Sequence, residues 1–153
     1  VHHAGNSSGI VDGSSAVLVA SERAAEAQGW EPMARIVDST VVGVDPLTML
    51  KGPVPATEEV LERNDLAPGD VDRYEVNEAF AAVVAFWLDE IGADWDRVNA
   101  WGGAIAHGHP LGATGGALLG KLPYQLEESG GRYGISTMCI GFGMGIATLV
   151  ERV

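Results

Sequence analysis

Residues 80–91 limit the possible folds more than any other stretch of this chain. Phe80, Val83, Val84, Trp87, Leu88 and Ile91 recur at the spacing of one helical face. A stripe of that width has to be buried against a second layer. Asn77 stands just ahead of it, where an N-cap belongs, and Gly92 follows where a helix stops. Immediately upstream, Tyr74 and Val76 alternate with Arg73 and Glu75, the period of a strand. A strand leading into an amphipathic helix is the repeating unit of a layered α/β domain.

The same alternation runs through the chain. Ala16-Val17-Leu18-Val19-Ala20 is fully apolar and reads as a buried strand. Ser21 caps a short helix through Gln28, and Gly29 stops it. Ala34 to Val44, rich in Val and Ile, reads as a second strand. Thr57 to Asn64 reads as a helix, with Glu58 and Glu59 well placed for its dipole. A later helix spans Thr114 to Glu128, with Gly120 and Pro123 expected to weaken or kink it. Tyr133 to Ile140 and Ile146 to Val150 close the chain as two strands. The expectation is one α/β domain over residues 1–153, a mixed sheet covered by helices, with no linker or internal repeat.

Glycine is where the composition departs from the ordinary. There are 21 in 153 residues, about twice the usual share of roughly 7%. They cluster at Gly5 to Gly13, Gly102 to Gly120 and Gly141 to Gly145. Clustered glycine marks tight turns, or backbone brought close to something else. Lys plus Arg is 9 and Asp plus Glu is 21, a formal net charge of −12. A surface this acidic argues against nucleic acid or an anionic membrane as a partner. Any anionic ligand must then be met by local donors. Cys139 is the only cysteine, so no internal disulfide forms and a reducing, cytoplasmic setting is expected. Asn6-Ser7-Ser8 fits a glycosylation triplet, but nothing else suggests secretion. No signal peptide is visible and no apolar run has the length of a membrane span.

Several residues carry possible chemistry, each with a plain structural alternative. Gly115 to Lys121 has the spacing of a phosphate loop, but Leu122 replaces the hydroxyl residue and the stretch reads as helix interior. His107 and His109, with His2 and His3, lack the cysteines or framing carboxylates of a metal site, so none is expected. Cys139 is followed by Ile140-Gly141-Phe142-Gly143-Met144-Gly145. It is either a small buried apolar residue or a thiol beside backbone N–H groups able to hold an oxyanion. Pro110 keeps His109 out of helical angles and on a loop. There it is either satisfied by backbone or available as a base for a thiol. Asn77 is a helix cap, or an amide that holds a water or substrate oxygen.

Four segments occur in a fixed order: Asn77-Glu78-Ala79-Phe80, Gly102-Gly103-Ala104, Gly108-His109-Pro110-Leu111-Gly112-Ala113-Thr114-Gly115, and Cys139-Ile140-Gly141 with Gly143 and Gly145. In that order they resemble the C-terminal domain of thiolases, the acetyl-CoA acyltransferases. Ala4-Gly5-Asn6-Ser7-Ser8-Gly9 with Asp12 and Gly13 resembles the stretch where that domain begins.

The resemblance implies acyl transfer between a thioester and coenzyme A, either 3-ketoacyl-CoA thiolysis or the reverse Claisen condensation. It implies that His109 activates a nucleophilic cysteine carried by an N-terminal half. Cys139 is then the second cysteine, an acid/base. Asn77 holds a water that completes one oxyanion hole with His109, and the Gly141 N–H contributes to another. Ala4 and Ser8 match positions that touch the pantetheine arm, and Phe80 lines the same tunnel. Coenzyme A is a substrate, and no covalently bound cofactor is expected. A homo-oligomer and a place in lipid breakdown by fatty acid β-oxidation also follow at the family level.

Departures fall at Phe142 and Met144, where the family pattern has glycine and often glutamine, at His107, and at Pro123. The acylated cysteine is not among these 153 residues, and Val1 is not a natural start. The expectation is a fragment, or one chain of a split enzyme. Two other readings stay open: a cysteine hydrolase with Cys139 as nucleophile, His109 as base and Asn77 as orienter, and a non-catalytic thiolase-like subunit.

Overall fold

A computed structural model describes all residues from Val1 to Val153. Four strands form one sheet: β1 (Ala34–Gly43), β2 (Arg73–Val76), β3 (Tyr133–Ile140) and β4 (Met144–Arg152). Their spatial order is β1-β4-β3-β2. β4 runs antiparallel to both of its neighbours, whereas β2 and β3 are parallel. The sheet is therefore mixed. Five helices accompany it: α1 (Glu22–Gln28), α2 (Pro53–Arg63), α3 (Ala81–Ile91), α4 (Ala104–His107) and α5 (Thr114–Ser129). None is long and apolar enough to cross a membrane.

The helices make two layers. The larger core joins the sheet to α2 and α3 through Val60, Leu61, Val84, Trp87, Ile135 and Leu149. Trp87 sits at its centre, edge-on to Tyr74 with ring centroids 5.0 Å apart. Its indole N–H donates to Thr57 Oγ1 at 3.0 Å, and that hydroxyl donates to the Pro53 carbonyl at 2.7 Å. No polar atom of the tryptophan is left bare. α5 packs on the other face, where Leu122 and Leu126 meet Val150. Adjacent residues Leu149 and Val150 serve opposite layers, as strand geometry requires.

The predicted caps hold for α1. Ser21 Oγ accepts from the Ala24 N–H, and Gly29 turns left-handed with φ 67°. Gly92 ends α3 in the same way with φ 69°. α2 begins four residues earlier than expected, because Pro53 is tolerated in a first helical turn, where no N–H partner is needed. β4 likewise extends beyond Ile146 to Val150 at both ends, and its pairing with β1 and β3 supplies the ladder.

Four expectations are corrected. Ala16 to Ala20 forms no strand; Leu18 and Val19 are exposed, and the segment has no backbone ladder in this chain. Asn77 is not the cap of α3: the chain bends at Ala79, Phe80 takes the cap position, and Asn77 is buried. The alternation marking β2 would place Glu75 at a solvent face, yet it is 0% exposed. α5 lies over that face, and its Lys121 Nζ meets Glu75 Oε2 at 2.5 Å. Lastly, α5 runs unbroken through Gly120 and Pro123. Packing of Leu122 and Leu126 and bonding of Lys121 and Gln125 to Glu75 outweigh the local propensity of two poor helix formers.

Candidate active site

The glycine-rich segments meet where β2 and β3 end. Asn77 directly follows β2, and its N–H donates to the Thr137 carbonyl of β3 at 2.9 Å. Cys139 lies two residues further along β3. The opening segment ties two loops together: the Ser8 N–H and hydroxyl both donate to the Ala79 carbonyl, at 3.0 and 3.1 Å. One residue on, the Gly9 carbonyl accepts the His109 N–H at 2.8 Å. Ser8 and Phe80 are thereby brought onto adjacent backbone, with a bridge between Ser7 and Phe80. Ala4 starts a single helical turn just upstream, and the ring of His2, two residues before it, lies 4.4 Å from that of Phe80.

His109 is held from both ring nitrogens. Nε2 lies 3.3 Å from Asn77 Nδ2, and Nδ1 lies 2.7 Å from the Thr114 hydroxyl. Partial burial lowers its pKa from the ordinary 6.5, because the imidazolium loses hydration there. The ring is therefore neutral, and a base, at neutral pH. Asn77 Oδ1 is buried and makes no hydrogen bond within the chain. Glu78 adds a further tie: its Oε2 accepts the Ile105 N–H at 3.0 Å, fixing the start of α4 ahead of His109. Thr114 and Glu78 were passed over in the sequence as a helix start and a motif filler.

Cys139 stands one strand away and makes no hydrogen bond to His109 or Asn77. Burial raises its pKa, so it is a protonated thiol at neutral pH. The arrangement of a hydrolase, nucleophile on base on orienter, is not assembled around it. The glycines after it have separate reasons. A side chain at Gly143 would lie 2.6 Å from the Val44 carbonyl oxygen, and one at Gly145 would overlap the backbone of Gly52. Those two let the β3–β4 turn pack against the loop at residues 44–52. A side chain at Gly141 would meet nothing within 4 Å. Phe142, between them, takes a positive φ of 68° and is 90% exposed. No group of three His, Cys, Asp or Glu side chains comes together to hold a metal.

The sequence pattern of the thiolase C-terminal domain matches residues 30–152. The chain belongs to the thiolase family. It is 53% identical over 144 residues to the steroid 3-ketoacyl-CoA thiolase FadA6 of Mycobacterium tuberculosis, covering 94% of this chain and 35% of that protein. It is 51% identical over 152 residues to the 3-oxoadipyl-CoA/3-oxo-5,6-dehydrosuberyl-CoA thiolase of Escherichia coli, covering 98% of this chain and 38% of that one. The fold superimposes on the crystal structure of human mitochondrial 3-ketoacyl-CoA thiolase with a TM-score of 0.89 at 38% identity, over 98% of this chain and 38% of the other. The chain thus spans little more than a third of the length of these thiolases. The family pattern begins after α1, so residues 1–29 lie outside the matched domain.

Proposed function

We propose that this chain supplies the histidine side and the acid/base cysteine of a thiolase active site, and works with an N-terminal half that carries the acylated cysteine. The observation that carries this reading is the contact between Asn77 and His109, two motifs 32 residues apart, beside the strand end that bears Cys139.

In the thiolysis direction, His109 takes the proton of the nucleophilic thiol. The thiolate attacks the 3-keto carbon of a 3-ketoacyl-CoA, and the C2–C3 bond breaks. The departing acetyl-CoA carbanion takes a proton from Cys139, whose raised pKa keeps that proton in place until then. The resulting Cys139 thiolate removes the proton from an incoming coenzyme A, whose sulfur then releases the acyl group from the enzyme. Asn77, through a water, and the Gly141 N–H are the oxyanion donors. Ala4, Ser8 and Phe80 face the pantetheine arm. Coenzyme A and acyl-CoA are substrates, and no resident cofactor takes part. A homo-oligomer in the cytoplasm, where one free cysteine stays reduced, completes the reading.

The test is thiolysis of acetoacetyl-CoA by a full-length thiolase carrying this chain as its C-terminal part. His109→Ala and Cys139→Ser should each lower kcat by about 10²–10⁴-fold, the range for loss of a positioned acid or base. Activity retained in both variants would mean a non-catalytic subunit. An acyl adduct on Cys139 in this chain alone would restore the hydrolase.

A further inference from the structure

We propose that Thr114 is a positioning residue that fixes the tautomer of His109, keeping the proton on Nδ1 so that Nε2 is the bare, basic nitrogen. This goes beyond the role given to His109 above and rests on it only for its catalytic consequence.

The argument is a count of protons along three contacts. Thr114 Oγ1 lies 2.9 Å from the Pro110 carbonyl oxygen. A carbonyl has no proton to give, and two oxygens at that distance repel unless one lies between them. The hydroxyl proton is therefore committed to Pro110, four residues back, the common back-bond of a threonine at a helix start. Only an Oγ1 lone pair remains for His109. The 2.7 Å contact between Oγ1 and Nδ1 must then be filled by a proton on Nδ1. A neutral imidazole with its proton on Nδ1 has a lone pair on Nε2. The third contact agrees: the group 3.3 Å from Nε2 is the Asn77 amide nitrogen, a donor.

The setting makes the arrangement rigid. Thr114 is 3% exposed, is the first residue of α5, and donates its own N–H to the same Pro110 carbonyl at 2.9 Å. The Ser15 hydroxyl of the opening segment bonds the adjacent Ala113 carbonyl at 2.6 Å. The hydroxyl cannot swing away without giving up its bond to Pro110 inside a site where Thr114 is buried. Of the two His109 nitrogens, Nδ1 is thus committed to Thr114, while Nε2 keeps its lone pair, with the Asn77 amide nitrogen 3.3 Å away.

The decisive measurement is ¹⁵N NMR of histidine-labelled full-length enzyme carrying this chain, in which protonated and bare ring nitrogens resonate far apart. His109 is assigned by its loss in His109→Gln. The expected result is the Nδ1–H form in the native enzyme and in Thr114→Ser, and a mixture of tautomers in Thr114→Val. The Val variant should also lose kcat on the order of tenfold, the worth of one hydrogen bond, with KM little changed, and Ser should restore it. An Nε2–H form in the native enzyme would overturn the proposal without any variant having to fold, and so would an unaltered tautomer in Thr114→Val. Failure of the functional reading looks different: the tautomer as expected, but thiolysis indifferent to His109→Ala.

Discussion

Cys139 and His109 are both moved by burial, and each is moved toward its neutral form. For Cys139 the folded-state pKa lies above the ordinary 9.0. Its contribution to stability is present below that value and is lost as pH rises through the folded one. For His109 the folded-state pKa lies below 6.5, so its contribution is present above 6.5 and lost as pH falls through the folded value. Between these limits the site holds a neutral base and a protonated thiol at once, which is what a proton exchange between them and substrate needs. Because Cys139 is the only cysteine, alkylation by iodoacetamide reports on it alone. Its rate against pH should rise with a midpoint above 9.0; a midpoint below 9.0 would show a thiolate stabilised by something other than this fold. His109, Cys139 and Gly141 stand out in the sequence because glycine or proline lies beside or just after them and marks unusual backbone, and Asn77 stands out because it precedes an amphipathic helix. The partners that set their chemistry were not. Thr114 reads as an ordinary helix start, and no pattern in the sequence says that a hydroxyl five residues on reaches the ring.

At the scale of elements, the same division holds. α1, α3 and β3 could be placed from periodicity and capping, because their signals are local. The errors came where another element decided the outcome. Glu75 alternates with apolar residues along β2 yet is covered by α5, and Pro123, a residue that weakens or kinks a helix, sits in one that is anchored on both sides of it. The buried group of Glu75, Lys121 and Gln125 is the anchor: the Gln125 amide donates to Glu75 Oε1 at 2.7 Å while Lys121 holds the other oxygen. Glu75 lies on the strand that leads to Asn77, and α5 begins at Thr114 beside His109. The anchor therefore sets one half of the site against the other. Lys121→Met would leave a fully buried carboxylate unpaired, at a cost of about 3–5 kcal/mol. Changing Glu75 to Gln as well removes that charge and keeps an acceptor for Gln125, so the double variant should regain most of the loss. Urea denaturation of the two variants checks this; a double variant no more stable than Lys121→Met would show that the ion pair does not hold α5 in place.

Across the whole molecule, the apolar residues without a place in either core are gathered rather than scattered. Leu18 and Val19 of the opening segment, Trp30 after α1 and Tyr124 on the outer face of α5 are all exposed. They border a groove of about 880 Å³, lined largely by hydrophobic side chains. Ile10, Leu111 and Phe142, each on a glycine-rich loop of the site, are exposed as well. Monomeric soluble proteins rarely leave contiguous apolar patches of this kind without a partner. The stretch at Ala16 to Ala20 has the composition of a buried strand, yet it pairs with no strand of this chain, and it lies outside the matched C-terminal domain. In this chain the segment is neither a strand nor buried, so the sequence reading fails on both counts. If the N-terminal half of a thiolase is the missing cover, the chain alone should bind a dye such as ANS strongly and self-associate on a sizing column. Both properties should fall on addition of a thiolase N-terminal half, and the urea midpoint of the chain should rise with the concentration of that half, as binding to the folded state demands. Leu18→Asp should weaken the complex while leaving the contacts of His109 with Asn77 and Thr114 intact, because α5 lines the groove with Leu119, Gly120, Pro123 and Tyr124 and not with its first residues. A chain that stays monomeric, binds no dye and is indifferent to the N-terminal half would mean that these side chains are covered by something else, and would separate the fold of this domain from the assembly proposed for it.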